Sequence, residues 1–406
     1  MKKLINNFIE VYFGIPNLTK KLLPIVILDH MVTSLCLNIP AYFKKASHLH
    51  YDLIGQFISI YYCGCLVGAL AGGCLTLYFR TTMVSGIGLI FLSGSLFCLF
   101  NTTSYWIIFS SMLLLGSIGT AVATSNIASL LKSVKEREKV KLKVISIDLI
   151  LFNISFSFAT YVLLDLDTEQ VTFIICTICT LLIFASIWLL TIFQNYLFDP
   201  IKEKIRGAFS LPDHKIEFTL LISMVFCFGL IFSMVKVIFT PTLIDRFGSN
   251  IISVTIASIN PWVVFIFQPL IVDRVRNSNS TWFLGFGGFI VGISYFLFGN
   301  VTSFTVTAIS LLLLTFGEMM FAPLSKHFNI QLYRKGEEGV ASGIWKAVFL
   351  GSGAIGSGVS GYFAESYGSY IVWEICGLLG MTCFIFSFFL RKMQRRDIYD
   401  RVVLDI

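Results

Sequence analysis

NYLFDPIKEKIRGAFSLPDHKIE, residues 195–217, is the longest polar interruption in the chain, and six apolar runs lie on each side of it. Working back toward the N-terminus, the runs cover about 171–195, 144–164, 105–131, 82–100, 53–77 and 22–43. Working forward, they cover about 217–241, 251–272, 281–299, 304–326, 340–362 and 371–390. At 1.5 Å of rise per residue, a helix of about 20 apolar residues crosses the roughly 30 Å of hydrocarbon in a bilayer. The composition agrees: of 406 residues 56% are hydrophobic and 13% charged, and the mean hydropathy is +0.82. A soluble interior cannot hide that much apolar side chain. The expected fold is therefore an all-α polytopic membrane protein, with twelve transmembrane helices in two six-helix bundles. The bundles are expected over residues 1–195 and 217–390, with a central loop at 196–216 and a tail at 391–406.

Charge orients the spans. With the N-terminus placed in the cytoplasm, 25 of the 30 Lys and Arg residues fall on the cytoplasmic side. Lys44, Lys45 and Arg246 fall on the external side, and Lys236 and Lys346 fall inside spans. This asymmetry follows the positive-inside rule and predicts cytoplasmic positions for both termini, in the plasma (inner) membrane. It also accounts for the net charge of +7, so no nucleic-acid partner is implied. The basic loop KSVKEREKVKLK, residues 132–143, reads as a topology signal facing anionic lipid. The opening MKKLINNFIEVYFGIPNLTKK has apolar residues broken by Asn and Glu and no small-residue cleavage site, so the run from Leu22 is expected to remain in the mature protein.

The ten cysteines lie in apolar runs, and the Cys176–Cys179 pair has no His or acidic companions, so neither metal nor redox chemistry is expected. There is no Gly-rich phosphate loop, no cofactor motif and no loop long enough to carry a soluble catalytic site. An enzyme is thus not expected. Two halves with scattered titratable groups suit a transporter that works from an ion gradient, as a monomer, on a small-molecule substrate and protons.

Seven ionisable side chains lie inside the spans: Asp29, His30, Asp148, Lys236, Glu318, Lys346 and Glu374. An ionised group at a helix centre costs about 2.5–3.5 kcal/mol, unless it lines a watery cavity, finds a partner or takes up a proton. In IVILDHMVTSLCLNIP, residues 25–40, Asp29 sits seven residues past Leu22, roughly 10 Å into the bilayer. Neighbouring helical residues point about 100° apart, so Asp29 is expected to face a central cavity and His30 a neighbouring helix or the cavity edge. Asp29 and Glu318 are the expected proton-coupling residues. Asp148, one turn past Lys143, is a third candidate or an interfacial residue. Lys346 is placed as a counter-ion for Glu318 or a ligand for an anionic substrate group, with Trp345 and His30 beside it in the substrate cavity. Lys236 and Glu374 are expected toward the external ends of their spans. For each carboxylate the alternative is a buried hydrogen bond that fixes helix packing.

The loop after the second span, GALAGGCLTLYFRTT (68–82), resembles the signature of the major facilitator superfamily, Gly-x-Leu-x-Asp-Arg followed by basic residues. Gly73, Leu75 and Arg80 match it, whereas Leu77 and Tyr78 replace the acid and its basic neighbour. The matching loop after the eighth span, QPLIVDRVRNS (268–278), keeps Asp273 and Arg274. The resemblance implies a gating role for Asp273, Arg274, Gly73 and Arg80. FGEMMFAPLSKHF (316–328) and the Gly-rich stretch from Gly339 to Gly361 are similar to proton-coupled peptide symporters and equally to some multidrug:proton antiporters, and GSIGTAVATSNIASLL (116–131) adds to the peptide-type likeness. The first span lacks the Glu and Arg of the peptide type, and residues 144–164 lack the Gly and Pro of the antiporters. Symport of a peptide-like, amino-acid or siderophore-like solute is expected, with export of drugs or a metabolite as the alternative. Lys346 pointing into the cavity would favour an importer of carboxylated solutes, and Asp29 and Glu318 lining one apolar cavity without Lys346 would favour a cationic-drug pump.

Overall fold

The computed structural model describes residues 16–46, 49–133, 138–191, 212, 214–248, 251–276, 281–333 and 338–404. Among the described residues every regular element is an α-helix. There are twelve: α1 (Asn17–Ala46), α2 (Tyr51–Tyr78), α3 (Thr81–Phe100), α4 (Tyr105–Ser133), α5 (Glu138–Leu164), α6 (Thr168–Thr191), α7 (Lys215–Phe247), α8 (Ile251–Arg276), α9 (Thr281–Asn300), α10 (Phe304–Gln331), α11 (Glu338–Tyr367) and α12 (Ser369–Leu404). Eleven are long and apolar enough to cross a membrane, and α8 contributes the shorter apolar stretch Ile252–Val264. The protein is an integral, multi-pass membrane protein. Only helices satisfy every backbone polar group within one segment, as hydrocarbon demands of a chain that does not close into a barrel.

Several helices overrun the apolar runs that announce them. The seventh run stops at Pro241, yet α7 continues to Phe247, and α10 continues five residues past Lys326. Charged residues end a hydropathy window without ending a helix. Glu318 therefore lies at the midpoint of α10 rather than toward its cytoplasmic end, and Lys236 lies well inside α7, 11 residues before its last residue.

The chain divides into two compact units. The first holds residues 1–47 and 60–204, with α1, most of α2 and α3 to α6. Inside it α3 packs on α4 and α6, and α1 packs on α5 and α4. The second holds residues 48–59 and 205–406, where α9 packs on α10 and α12, α7 on α11 and α12, and α8 on α10. Three pairs correspond between the units, α3–α4 with α9–α10, α3–α6 with α9–α12 and α1–α5 with α7–α11, as two related halves would give.

Small residues set the closest approaches. On α2, Gly64, Gly68 and Gly72 recur every fourth residue and face Leu113, Ser117 and Ala121 of α4; a Cβ at Gly72 would lie 2.7 Å from the Ala121 Cα. Such close approach replaces the hydrophobic effect as the source of helix association in lipid. In the second unit a Cβ at Gly55 would lie 2.7 Å from the Ser357 carbonyl oxygen and 2.8 Å from the Gly361 Cα. Of the glycines in the Gly-rich stretch of α11, Gly356 and Gly361 meet neighbouring backbone, whereas Gly351 has open space around it.

Candidate functional site

In the first unit the titratable groups form two separate sets on α1. Asp29 is only 1% exposed. Its Oδ2 accepts a hydrogen bond from Asn126 Nδ2 of α4 at 3.2 Å, and Asn126 Oδ1 accepts one from Ser85 Oγ of α3 at 2.8 Å. Two more contacts extend this seam. Ser125 Oγ donates to the Thr81 carbonyl at 2.7 Å, and Ser129 Oγ donates to Thr81 Oγ1 at 2.8 Å. Asp29 is thus buried among the helices, with the Asn126 amide of α4 donating to one of its carboxylate oxygens.

His30 takes the more open position. Its Nε2 lies 2.9 Å from Asp148 Oδ1 of α5, and the two side chains remain 12% and 17% exposed. The ring meets Phe152 edge-on, with centroids 5.6 Å apart. Asp148 is therefore tied to α1 rather than left at the interface. His30 thus faces a neighbouring helix, as expected, and with its carboxylate it is more accessible than Asp29.

In the second unit Glu318 gathers polar groups from three other helices. Its Oε2 accepts a hydrogen bond from Asn260 Nδ2 of α8 at 2.7 Å. Lys236 of α7 and Tyr295 of α9 interact with it electrostatically. Lys236 of α7 thus stands within electrostatic reach of Glu318. Glu318, Asn260 and Lys236 are all half-buried.

An aromatic wall adjoins this cluster. Lys236 Nζ lies 4.9 Å from the centroid of Phe232, one helical turn away. Phe232 lies 5.6 Å from Phe349 of α11, and Phe349 stacks on Trp345 at 5.3 Å with 7° between the planes. The indole N–H of Trp345 donates to Ser325 Oγ of α10 at 3.1 Å, which fixes that ring. Trp345 thus belongs to the second unit's polar-aromatic cluster, and Lys346 is half-buried beside it.

The gating candidates divide. Gly73 has open space around it and its carbonyl accepts from Thr76 Oγ1 at 2.9 Å. Arg80 is exposed and starts α3 from an extended conformation, with φ −63° and ψ 133°. The side chains of Asp273 and Arg274 lie outside the described residues. Among the described residues no group of three His, Cys, Asp or Glu could hold a metal, and all ten cysteines are free thiols.

The partners that matter most here, Asn126, Ser85 and Asn260, carry no charge. A search for ionisable groups passes over them, although Asn126 and Asn260 are themselves unusual within apolar spans. Phe232 and Phe349 are equally hidden among 40 phenylalanines.

Residues 22–328 match the Major Facilitator Superfamily. The chain belongs to that superfamily. Solved structures agree on the fold. The peptide transporter POT in complex with sulfate aligns with a TM-score of 0.75 at 13% identity, covering 95% of this chain and 96% of that one. The nucleoside transporter NupG aligns at 0.71 and 15% identity, covering 93% of this chain and 100% of the other. The human organic anion transporter MFSD10 (TETRAN) aligns at 0.62 and 13% identity, covering 92% and 100%. No curated protein matches the sequence. As a superfamily member the protein is a secondary transporter, and its helices form the major facilitator fold.

Proposed function

We propose that this transporter moves a small organic solute together with protons, by alternating access, and that Glu318 is the residue whose protonation couples the two. It is read as a monomer in the plasma (inner) membrane, with both termini in the cytoplasm. A carboxylate at mid-helix, bonded by Asn260 at 2.7 Å and within electrostatic reach of Lys236, is the observation that supports the reading. An ionised carboxyl in an apolar bundle is tolerated with a cation beside it. When Glu318 takes a proton, its attraction for Lys236 ends and that charge becomes available to an anionic group of the solute. Proton and solute then load together, as symport requires. His30 and Asp148 form a second accessible titratable pair, suited to relay a proton in the first unit. Asp29 serves to hold α1 against α4. Peptide-like, amino-acid and siderophore-like solutes are the substrate classes, and the fold is shared with transporters of peptides, nucleosides and organic anions.

The test is proton flux in proteoliposomes loaded with a pH dye, with peptides, amino acids, chelators and aryl carboxylates added outside. Wild type is expected to acidify the lumen with its substrate. Glu318→Gln is expected to lose that signal by about tenfold or more while still exchanging solute. Solute uptake with no proton movement, or full coupling in Glu318→Gln, would overturn the reading.

A further inference from the structure

The aromatic wall and its terminal cation suggest what the solute looks like. Phe232, Phe349 and Trp345 are half-buried, so each ring shows part of its surface. They form two ring-to-ring steps of 5.6 and 5.3 Å, about the length of one fused or two linked aromatic rings. The wall is held from behind by Ser325, which anchors the indole nitrogen of Trp345. Lys236 closes one end, 4.9 Å from the Phe232 ring. A lysine this far inside a membrane helix, still half-buried rather than fully packed, stays charged only beside water or an anion. Glu318 stands within electrostatic reach of this lysine, and the Phe232 ring beside it leads to the rest of the aromatic wall.

We infer that Lys236, Phe232, Phe349 and Trp345 form a specificity site for an organic anion with a planar body, its carboxylate or phosphonate on Lys236 and its ring along the three aromatic side chains. The inference rests on the transport reading above but names a substrate class that the reading leaves open. Planar apolar bodies gain from stacking on the rings. The anionic head gains a charge-assisted hydrogen bond in a partly desolvated place. A neutral analogue loses the second contribution, and a cationic one adds repulsion from Lys236.

The site is tested by equilibrium binding to the purified full-length transporter in nanodiscs at pH 5.5. Three probes of one shape are compared: indole-3-acetate, its neutral amide and tryptamine. Wild type is expected to bind the anion about tenfold or more tighter than the amide, with tryptamine weakest. Lys236→Gln should bring anion and amide within about twofold, and Lys236→Arg should restore the preference. Phe349→Leu should weaken all three probes together. Equal binding of anion and amide by wild type would overturn the inference, as would binding of none of them, or a preference that survives in a folded Lys236→Gln protein. Binding is read without a gradient, so it is separable from coupling. Anion preference without proton entry sinks only the transport reading, and proton-coupled uptake of another solute without anion preference sinks only this one.

Discussion

Two adjacent residues of α1 show how partners assign roles. Asp29 and His30 share depth and differ by about 100° in direction, so one was bound to enter the helix packing. Which one depends on Asn126, 97 residues on, and Asp148, 118 residues on from His30. No local feature of residues 25–40 carries that information. Asn126 accepts from Ser85 while donating to Asp29, so replacing it removes one hydrogen bond from a buried carboxylate and one from a buried hydroxyl. Asn126→Leu is expected to lower unfolding stability by about 1–3 kcal/mol, measured by chemical or thermal unfolding in detergent. Asp29→Asn should be the milder change and should leave substrate-driven proton entry intact. If Asp29→Asn instead abolishes proton entry at unchanged stability, Asp29 is a coupling residue and Glu318 does not act alone.

At the scale of elements, two of the cations that the charge count sets apart from the rest, Arg246 and Lys45, prove to be helix caps. Arg246, in the last turn of α7, donates to the carbonyls of Phe298, Gly299 and Val301 at 2.5, 2.7 and 2.9 Å, at the C-terminus of α9. Its guanidinium also lies 5.0 Å from the Phe298 ring. Lys45, in the last turn of α1, donates to the carbonyls of Leu164 and Leu166 at 3.1 and 2.8 Å, past the end of α5. Terminal carbonyls lack intrahelical donors and carry the negative end of the helix dipole, so a cation there supplies both needs. Arg246→Met is expected to cost about 1.5–3 kcal/mol of stability, with protection from hydrogen exchange lost first in the last turn of α9. An unchanged exchange rate there would show that water replaces the cap without loss. The helices themselves were legible as apolar runs, since about 20 consecutive apolar residues admit few other readings. Their ends were less so, because Pro241 and Lys326 look like stops but lie inside α7 and α10. That error moved Glu318 off the centre of its helix. The contacts of residues 49–59 were hidden too. Glu365 of α11 accepts from the Tyr51 backbone N–H at 2.9 Å, and Asp245 of α7 accepts from the Tyr51 hydroxyl at 3.1 Å, 314 and 194 residues away.

For the whole molecule, the distribution of charge makes a claim about direction that the cap contacts sharpen. Twenty-five of 30 basic residues sit in segments that share one face in an alternating trace of twelve helices. Of the three assigned to the opposite face, Lys45 and Arg246 are occupied by helix ends, so they neutralise carbonyl dipoles rather than compete as topology signals. Short basic loops resist translocation, and the asymmetry therefore predicts that the α2–α3 connection is cytoplasmic and the α3–α4 connection external. Phe79 and Thr103 are exposed in those two connections and report on them directly. Phe79→Cys and Thr103→Cys are made separately in a protein whose exposed Cys74 and Cys98 are replaced by Ser. A membrane-impermeant maleimide applied to intact cells should label Thr103→Cys and spare Phe79→Cys, and permeabilised cells should label both. The reverse pattern would place both termini outside. The proposed coupling through Glu318 would be unaffected, because orientation decides which face opens to which side and not whether solute and proton move together.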